Sequence, residues 1–238
     1  MMPQLPPKPF RIGLLGGMGP AAGVELHRLI IEATPATRDQ DHLQVVLYTD
    51  PTIPDRTTSL AHDAGAAYAA GVIRAARVLE ATKPNVIALA CMTAHARLPI
   101  IQAAIDTPII SGIAVVTEHL ATLYSGQTPL LLATTGSVES GVYTRSRHAD
   151  WQLPNPILQT QLMAAIYAIK GGEIALGLRT VTEILTALAP TPRQPIVLGC
   201  TELGLLHDAL LARGYEVVDP LRLLAQQLVR LASASVAQ

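Results

Sequence analysis

Aromatic residues are scarce in this chain: Phe, Tyr and Trp together make up 3% of 238 residues, although half of the residues are apolar. The core must therefore be built from Ala, Leu, Ile and Val, a composition suited to parallel sheets covered by helices on both faces. Cysteine is nearly absent, with only Cys91 and Cys200 in the whole chain. With no export signal in view, two such distant thiols are expected to stay reduced rather than form a disulfide. Charge of one sign does not cluster either. The net charge is −1, with no basic stripe or block that would attract nucleic acid or an anionic membrane. No apolar run approaches the ~18 residues of a membrane span. Met1–Pro9 carries four prolines and one lysine but no apolar signal-peptide region, so it reads as a flexible extension and the cytoplasm is the expected compartment. The seven histidines lack zinc-ligand spacings, and no metal is expected. Neither a G-x-S-x-G elbow nor a P-loop is present, which removes the common serine-hydrolase and nucleotide-hydrolase readings.

What is present is an alternation of strand-like and helix-like segments. Phe10–Leu15 reads as a strand, and Gly16-Gly17-Met18-Gly19-Pro20 turns into a helix marked by Val24, Leu26, Leu29, Ile30 and Ala33 and ended by Pro35. Gln44–Tyr48 is a second strand. A polar loop with Pro51, Pro54, Asp55 and Arg56 then leads to an Ala-rich helix near Asp63–Thr82. After Ile110 the pattern restarts with a helix near Ile113–Tyr124 and a strand running into Thr134-Thr135-Gly136-Ser137. Helices around Pro156–Lys170 and Glu173–Leu188 follow, with a closing helix over Leu221–Leu231. Such alternation predicts an α/β fold of two similar lobes, each a parallel sheet flanked by helices, with an active site in the cleft between them. The first lobe is expected over 1–111 and the second over 112–218, with 219–238 packing back on the first.

The two cysteines occupy equivalent places in this repeat. Asn85–Thr93 and Gln194–Glu202 are both apolar runs that end in a cysteine with a threonine one or two positions on, then a helical stretch and an apolar segment touching proline. Each thiol is thus expected at the carboxyl end of a buried parallel strand, the edge at which open α/β sheets bind ligands. A single cysteine at such a place is more often a small buried hydrophobe. Two at matched places could flank one carbon and move a proton between its faces. His95, four residues after Cys91, could equally cap or pack. The turn Gly17-Met18-Gly19-Pro20-Ala21-Ala22 satisfies the letters of a dinucleotide fingerprint, but the first acid after the second strand, Asp50, comes well beyond the ~20 residues that motif needs. Backbone N–H groups receiving a carboxylate at the helix start fit the turn better.

At Ile12–Pro20, Ile53-Pro54-Asp55-Arg56-Thr57, Cys91-Met92-Thr93-Ala94-His95, Leu132–Gly136 and Gly199-Cys200-Thr201-Glu202-Leu203 the chain resembles the aspartate/glutamate racemase family, and within it the cofactor-independent aspartate racemases. The resemblance implies a homodimer that needs no cofactor and acts on a small amino-acid or dicarboxylate substrate. It implies that Cys91 and Cys200 are the acid–base pair, that Arg56 and Lys170 anchor the substrate, and that Met18, Thr93, Thr134, Thr135, Thr201 and Glu202 surround it. Met92 is the one departure, since the family pattern after the first cysteine is C-N-T. A thioether is only a weak acceptor, and losing a polar contact there would cost ~1–3 kcal/mol if its partner were left bare. Racemisation of aspartate or glutamate is the expected activity. The alternatives are another isomerase or decarboxylase of the family with a different carboxylate substrate, or a binding homologue with low activity.

Overall fold

The structure is a computed structural model that describes residues 10–145 and 150–236; the Met1–Pro9 extension lies outside the described residues. Four parallel strands, β1 (Arg11–Gly16), β2 (Gln44–Thr49), β3 (Val86–Leu89) and β4 (Ile109–Ile110), form one sheet in the order β2-β1-β3-β4. A second parallel sheet contains β5 (Leu130–Leu132), β6 (Ile196–Leu198) and β7 (Val217–Val218) in the order β5-β6-β7. Gln152 forms an isolated parallel bridge with Leu130, where β2 would stand in the first lobe. The lobes therefore share one strand order, and the second has kept its outermost strand only as a single bridge.

Apolar strands buried on both faces explain the continuous hydrophobic runs in the sequence. Along β1, Ile12 and Leu14 point into one cluster and Leu15 into another, as strand alternation requires. The first cluster also takes in Leu131 and Val197 from the second sheet, so one apolar layer joins the lobes. Helices α1 (Pro20–Ala33), α5 (Gly112–Leu123) and α10 (Pro220–Val236) pack together around it. Proline at its start and Thr34 before Pro35 bound α1, whose buried face carries Leu26, Leu29 and Ile30; Val24 faces outward. No helix among the described residues is long and apolar enough to cross a membrane.

Three local features differ from the sequence-based expectation. A helix that the sequence did not suggest, α2 (Arg56–Asp63), precedes the one expected near Asp63–Thr82, which is α3 (Ala66–Glu80). Asp63 separates the two, because its carboxylate accepts the N–H groups of Gly65 and Ala67 and the hydroxyl of Ser59 at 2.6–3.0 Å. Arg56, expected in a loop, opens α2 behind an Asp55 side chain that caps the N–H of Thr58 at 2.9 Å. After each cysteine strand the chain winds into a 3-10 turn, Thr93–Arg97 and Thr201–Leu206, before the short helices α4 (Leu98–Gln102) and α9 (His207–Leu211). Thr134 caps a further short helix, α6 (Thr135–Glu139), while α7 (Pro156–Lys170) and α8 (Ile174–Leu188) follow the expected bounds closely.

Two glycines permit close backbone approaches beside the cleft, one within the first lobe and one between the lobes. Gly17 has φ +99°, and a Cβ there would lie 2.3 Å from the backbone of Asp50. A Cβ on Gly136 would come within 2.8 Å of the Thr57 Cα, so only glycine lets α6 approach the start of α2.

At the start of α10, Asp219 is buried, accepts the Leu221 N–H at 2.9 Å, and leaves Oδ2 without a hydrogen bond 3.7 Å from Arg222 Nε. Burial raises its carboxyl above the ordinary value, against the opposing pull of the Leu221 N–H, His207 and Arg222. A raised folded-state value means that folding takes up a proton; the stabilisation is complete at low pH and is lost as pH rises through the folded value. Asp219→Asn keeps the cap without the buried charge. Its unfolding free energy relative to the parent is therefore expected to be most favourable near pH 8 and to lose that advantage as pH falls toward 4, measured by urea denaturation across that range.

Candidate active site

The carboxyl ends of β1, β3, β5 and β6 meet at one pocket. Chain leaving β1 supplies Met18, chain leaving β3 supplies Cys91, Met92 and Thr93, chain leaving β5 supplies Thr134, and chain leaving β6 supplies Cys200, Thr201 and Glu202. Arg56 from α2 and Lys170 from the last turn of α7 complete the expected set. Thr135 stands apart. Because Thr134 turns inward to cap α6, Thr135 faces α7, with its N–H 3.2 Å from Met163 Sδ and its hydroxyl accepting from Gln159 at 3.3 Å. Sequence reasoning did not single out Asp55, Thr57, Met163, Ile166 and Tyr167 as site residues, yet all line the pocket. The positions 163, 166, 167 and 170 form one face of α7, a helical period legible in the sequence but indistinguishable there from an ordinary packing face.

Both thiols are buried and unpaired with each other, and their surroundings are opposite in sign. Cys200 Sγ donates to Glu202 Oε2 at 3.0 Å. Burial and then the Glu202 charge push the Cys200 thiol well above its ordinary value, with Lys170 pulling the other way. Cys91 instead neighbours the Arg56 guanidinium. Burial alone would lower Arg56, but Cys91, Asp55 and Glu202 hold it above its ordinary value.

Arg56 is a fixed cation. Its Nη2 donates to Met18 O, and its Nη1 to Pro54 O at 3.0 Å and Ile53 O at 3.4 Å, while Nε is buried with no partner among the described residues. An unpaired buried donor of this kind is costly unless something occupies it. Glu202 is as tightly held. Its Oε1 accepts the Gly19 N–H at 2.9 Å and lies 3.7 Å from Lys170 Nζ, while Oε2 takes the Thr201 hydroxyl at 3.2 Å besides the Cys200 thiol. For Lys170, burial pulls down and the charges of Glu202 and Cys200 overcome it, so the ammonium is raised. Two cations and two carboxylates, Asp55 and Glu202, thus share the pocket.

His95 does not reach the pocket. Its Nδ1 bonds Cys91 O and its Nε2 accepts the Gly112 N–H, both at 3.0 Å, and burial lowers its pKa. A backbone N–H can only donate, so Nε2 carries no proton and the ring is neutral. Met92 is almost wholly enclosed; a Cβ on Gly112 would lie 2.9 Å from its Cε, so its tip rests where α5 begins. Among the described residues, no group of three or more His, Cys, Asp or Glu could hold a metal ion.

The aspartate racemase of Picrophilus torridus superposes with a TM-score of 0.81 at 26% identity, over 94% of each chain. A glutamate racemase isoform from Bacillus anthracis shares the fold at 17% identity, with a TM-score of 0.71 over 96% of this chain and 83% of that one. By sequence, an uncharacterized protein of the pnlA 3′ region from Pectobacterium carotovorum is 35% identical over 81 residues, 33% of this chain and 54% of that protein. The chain thus matches about half the length of that curated relative. The Asp/Glu/Hydantoin racemase family model matches residues 15–228. A match that runs from β1 into α10 takes in both lobes and both thiols, and the chain belongs to the Asp/Glu/Hydantoin racemase family.

Proposed function

We propose that this protein racemises aspartate or glutamate without a cofactor, with one of Cys91 and Cys200 removing the Cα proton and the other delivering its own to the opposite face. The observation that carries the reading is the meeting of two buried thiols from equivalent strand ends in one pocket that also holds Arg56 and Lys170. Abstraction of the Cα proton by one thiolate forms an S–H bond and sends the C–H electron pair into the substrate carboxylate. The opposite thiol then protonates the other face of Cα and becomes the new thiolate. Atoms balance, and the configuration inverts.

Such a carbanion needs its charge met by preorganised donors. The unpaired Nε of Arg56 and the hydroxyls of Thr93 and Thr134 are available for carboxylate oxygens. Asp55 and Glu202 offer acceptors for the substrate ammonium, and Arg56 and Lys170 offer cations to its carboxylates. The difference between the two thiols assigns their resting roles in this reading. Cys200, held by a carboxylate, keeps its proton and acts as the acid; Cys91, beside a guanidinium, acts as the base. The enantiomer that presents its Cα–H to Cys91 reacts from the resting enzyme, and its mirror image requires the proton to have crossed. The same reading keeps the expected compartment and homodimer.

Met92 lines the pocket where the family pattern has asparagine, but its Sδ and Cε rest against the start of α5. Met92→Asn tests whether methionine has weakened an aspartate site. A rise in kcat/KM for aspartate indicates an ordinary aspartate site that methionine has weakened, and a fall indicates a different acid.

Deuterium incorporation at Cα, followed by NMR in heavy water across L- and D-amino acids, tests the activity itself. Aspartate or glutamate is expected to exchange and invert, and no exchange with either would sink the reading. Cys91→Ser and Cys200→Ser should each lower racemisation at least ~10³-fold, the scale of a lost acid–base group, with circular dichroism unchanged. The Glu202 charge is expected to govern Cys200. In a Cys91→Ser background, the pH midpoint for iodoacetamide alkylation of Cys200 should fall in Glu202→Gln and rise in Lys170→Met; the opposite order would contradict the electrostatic assignment.

A further inference from the structure

Three buried hydroxyls close a ring at the edge of the pocket. Thr93 Oγ1 lies 3.0 Å from Thr134 Oγ1 and 2.9 Å from Ser137 Oγ, and the latter two are 3.0 Å apart. Thr93 comes from the turn after the first cysteine, whereas Thr134 and Ser137 belong to the second lobe, so the ring is assembled across the cleft. Thr93 and Thr134 line the pocket; Ser137, 1% exposed, stands behind them. Among the described residues the Ser137 hydroxyl bonds to nothing else.

Each hydroxyl has one proton to give, and three protons can fill the three edges of the ring. Every buried hydroxyl is then satisfied when the pocket is empty, as burial demands. The satisfaction is weak. Sides of 2.9–3.0 Å force O···O···O angles of about 60°, so the bonds are bent, and bent hydrogen bonds lose strength steeply. A carboxylate accepts without donating and makes stronger, charge-assisted bonds. Its arrival can turn the Thr93 and Thr134 protons outward and leave the Ser137 proton donated to one of them. Thr134 cannot swing away, because its oxygen also accepts the Ser137 backbone N–H at 3.2 Å as the cap of α6.

The geometry points to Ser137 as a positioning residue: behind the pocket, it holds the hydroxyls of Thr93 and Thr134 ready for a substrate carboxylate and polarises them once they are bound to it. An aligned chain of O–H groups ending on an anion strengthens each bond in it. The benefit grows as Cα loses its proton and charge flows into the carboxylate, so the rate gains more than the ground-state affinity. This rests on the reading of the pocket as a carboxylate site.

The test uses the full chain, with Ser137→Ala and Ser137→Thr beside the parent. Racemisation kinetics, succinate affinity by calorimetry and thermal unfolding are measured on each. Ser137→Ala is expected to lower kcat and kcat/KM together by about tenfold, the effect of losing one hydrogen bond made mainly in the transition state, with KM nearly unchanged and succinate affinity down a few fold. Ser137→Thr restores the hydroxyl and should keep both properties near the parent. A merely structural serine would move the unfolding temperature and leave the kcat-against-KM split alone. Parental kcat and succinate affinity in Ser137→Ala would overturn the proposal, as would an equal loss in a Ser137→Thr variant that unfolds at the parental temperature. If the parent racemises neither aspartate nor glutamate, the functional reading fails by itself and succinate affinity decides the ring. A parent that also binds no succinate overturns the proposal as well.

Discussion

The site depends most on one buried carboxylate. Glu202, 3% exposed, receives the Gly19 N–H from the first lobe and the Cys200 thiol and Thr201 hydroxyl from the second, with Lys170 beside it. A carboxylate taken out of water costs several kcal/mol unless donors surround it, and these partners supply the donors. The peptide unit that gives it the Gly19 N–H offers its carbonyl, on Met18, to Arg56. One peptide group therefore lies between the cation near Cys91 and the anion near Cys200, and the position of the β1–α1 turn is set from both sides of the cleft.

Repetition built the two halves, but they are not copies in their chemistry. In the first lobe a large residue, His95, bridges Cys91 O to the start of α5, and a glycine at 112 leaves room for it and for Met92. In the second lobe the position four residues after the cysteine is Gly204, and the Asp219 carboxylate fills the space, 3.2 Å from where a Cβ would be. Bulk has changed sides between the turn and the helix start. The backbones stay equivalent while one thiol acquires a cationic neighbour and the other an anionic one. For a reaction that needs one thiolate and one thiol at the same time, such inequality is useful.

Holding the two thiols on opposite sides of one pocket also requires that the lobes not drift apart. The shared apolar layer does this through α1, α5 and α10, whose side chains reach the inner faces of both sheets. Buried apolar area contributes about 25 cal/mol per Å², and it is non-directional. Direction comes from the hydroxyls and carboxylates at the rim.

The sequence by itself determined the strand and helix order, because apolar runs and amphipathic periods depend on local side-chain patterning. It also determined the matched positions of Cys91 and Cys200, since a repeat is visible as spelling, and the motif residues that converge with them. It could not determine which way a side chain turns at a helix start. Thr134 faces inward and Thr135 outward because a cap bond to Ser137 decides between them, and Arg56 is pinned to three carbonyls contributed by the β1–α1 turn and its own loop. Nor could it show that Asp55 joins Glu202 and the two cations in the pocket, or that Ser137 backs the threonines of both lobes. Those facts arise from contacts between residues 38 positions apart within the first lobe and 44 to 183 apart across the cleft, and only tertiary packing brings such residues within hydrogen-bonding distance.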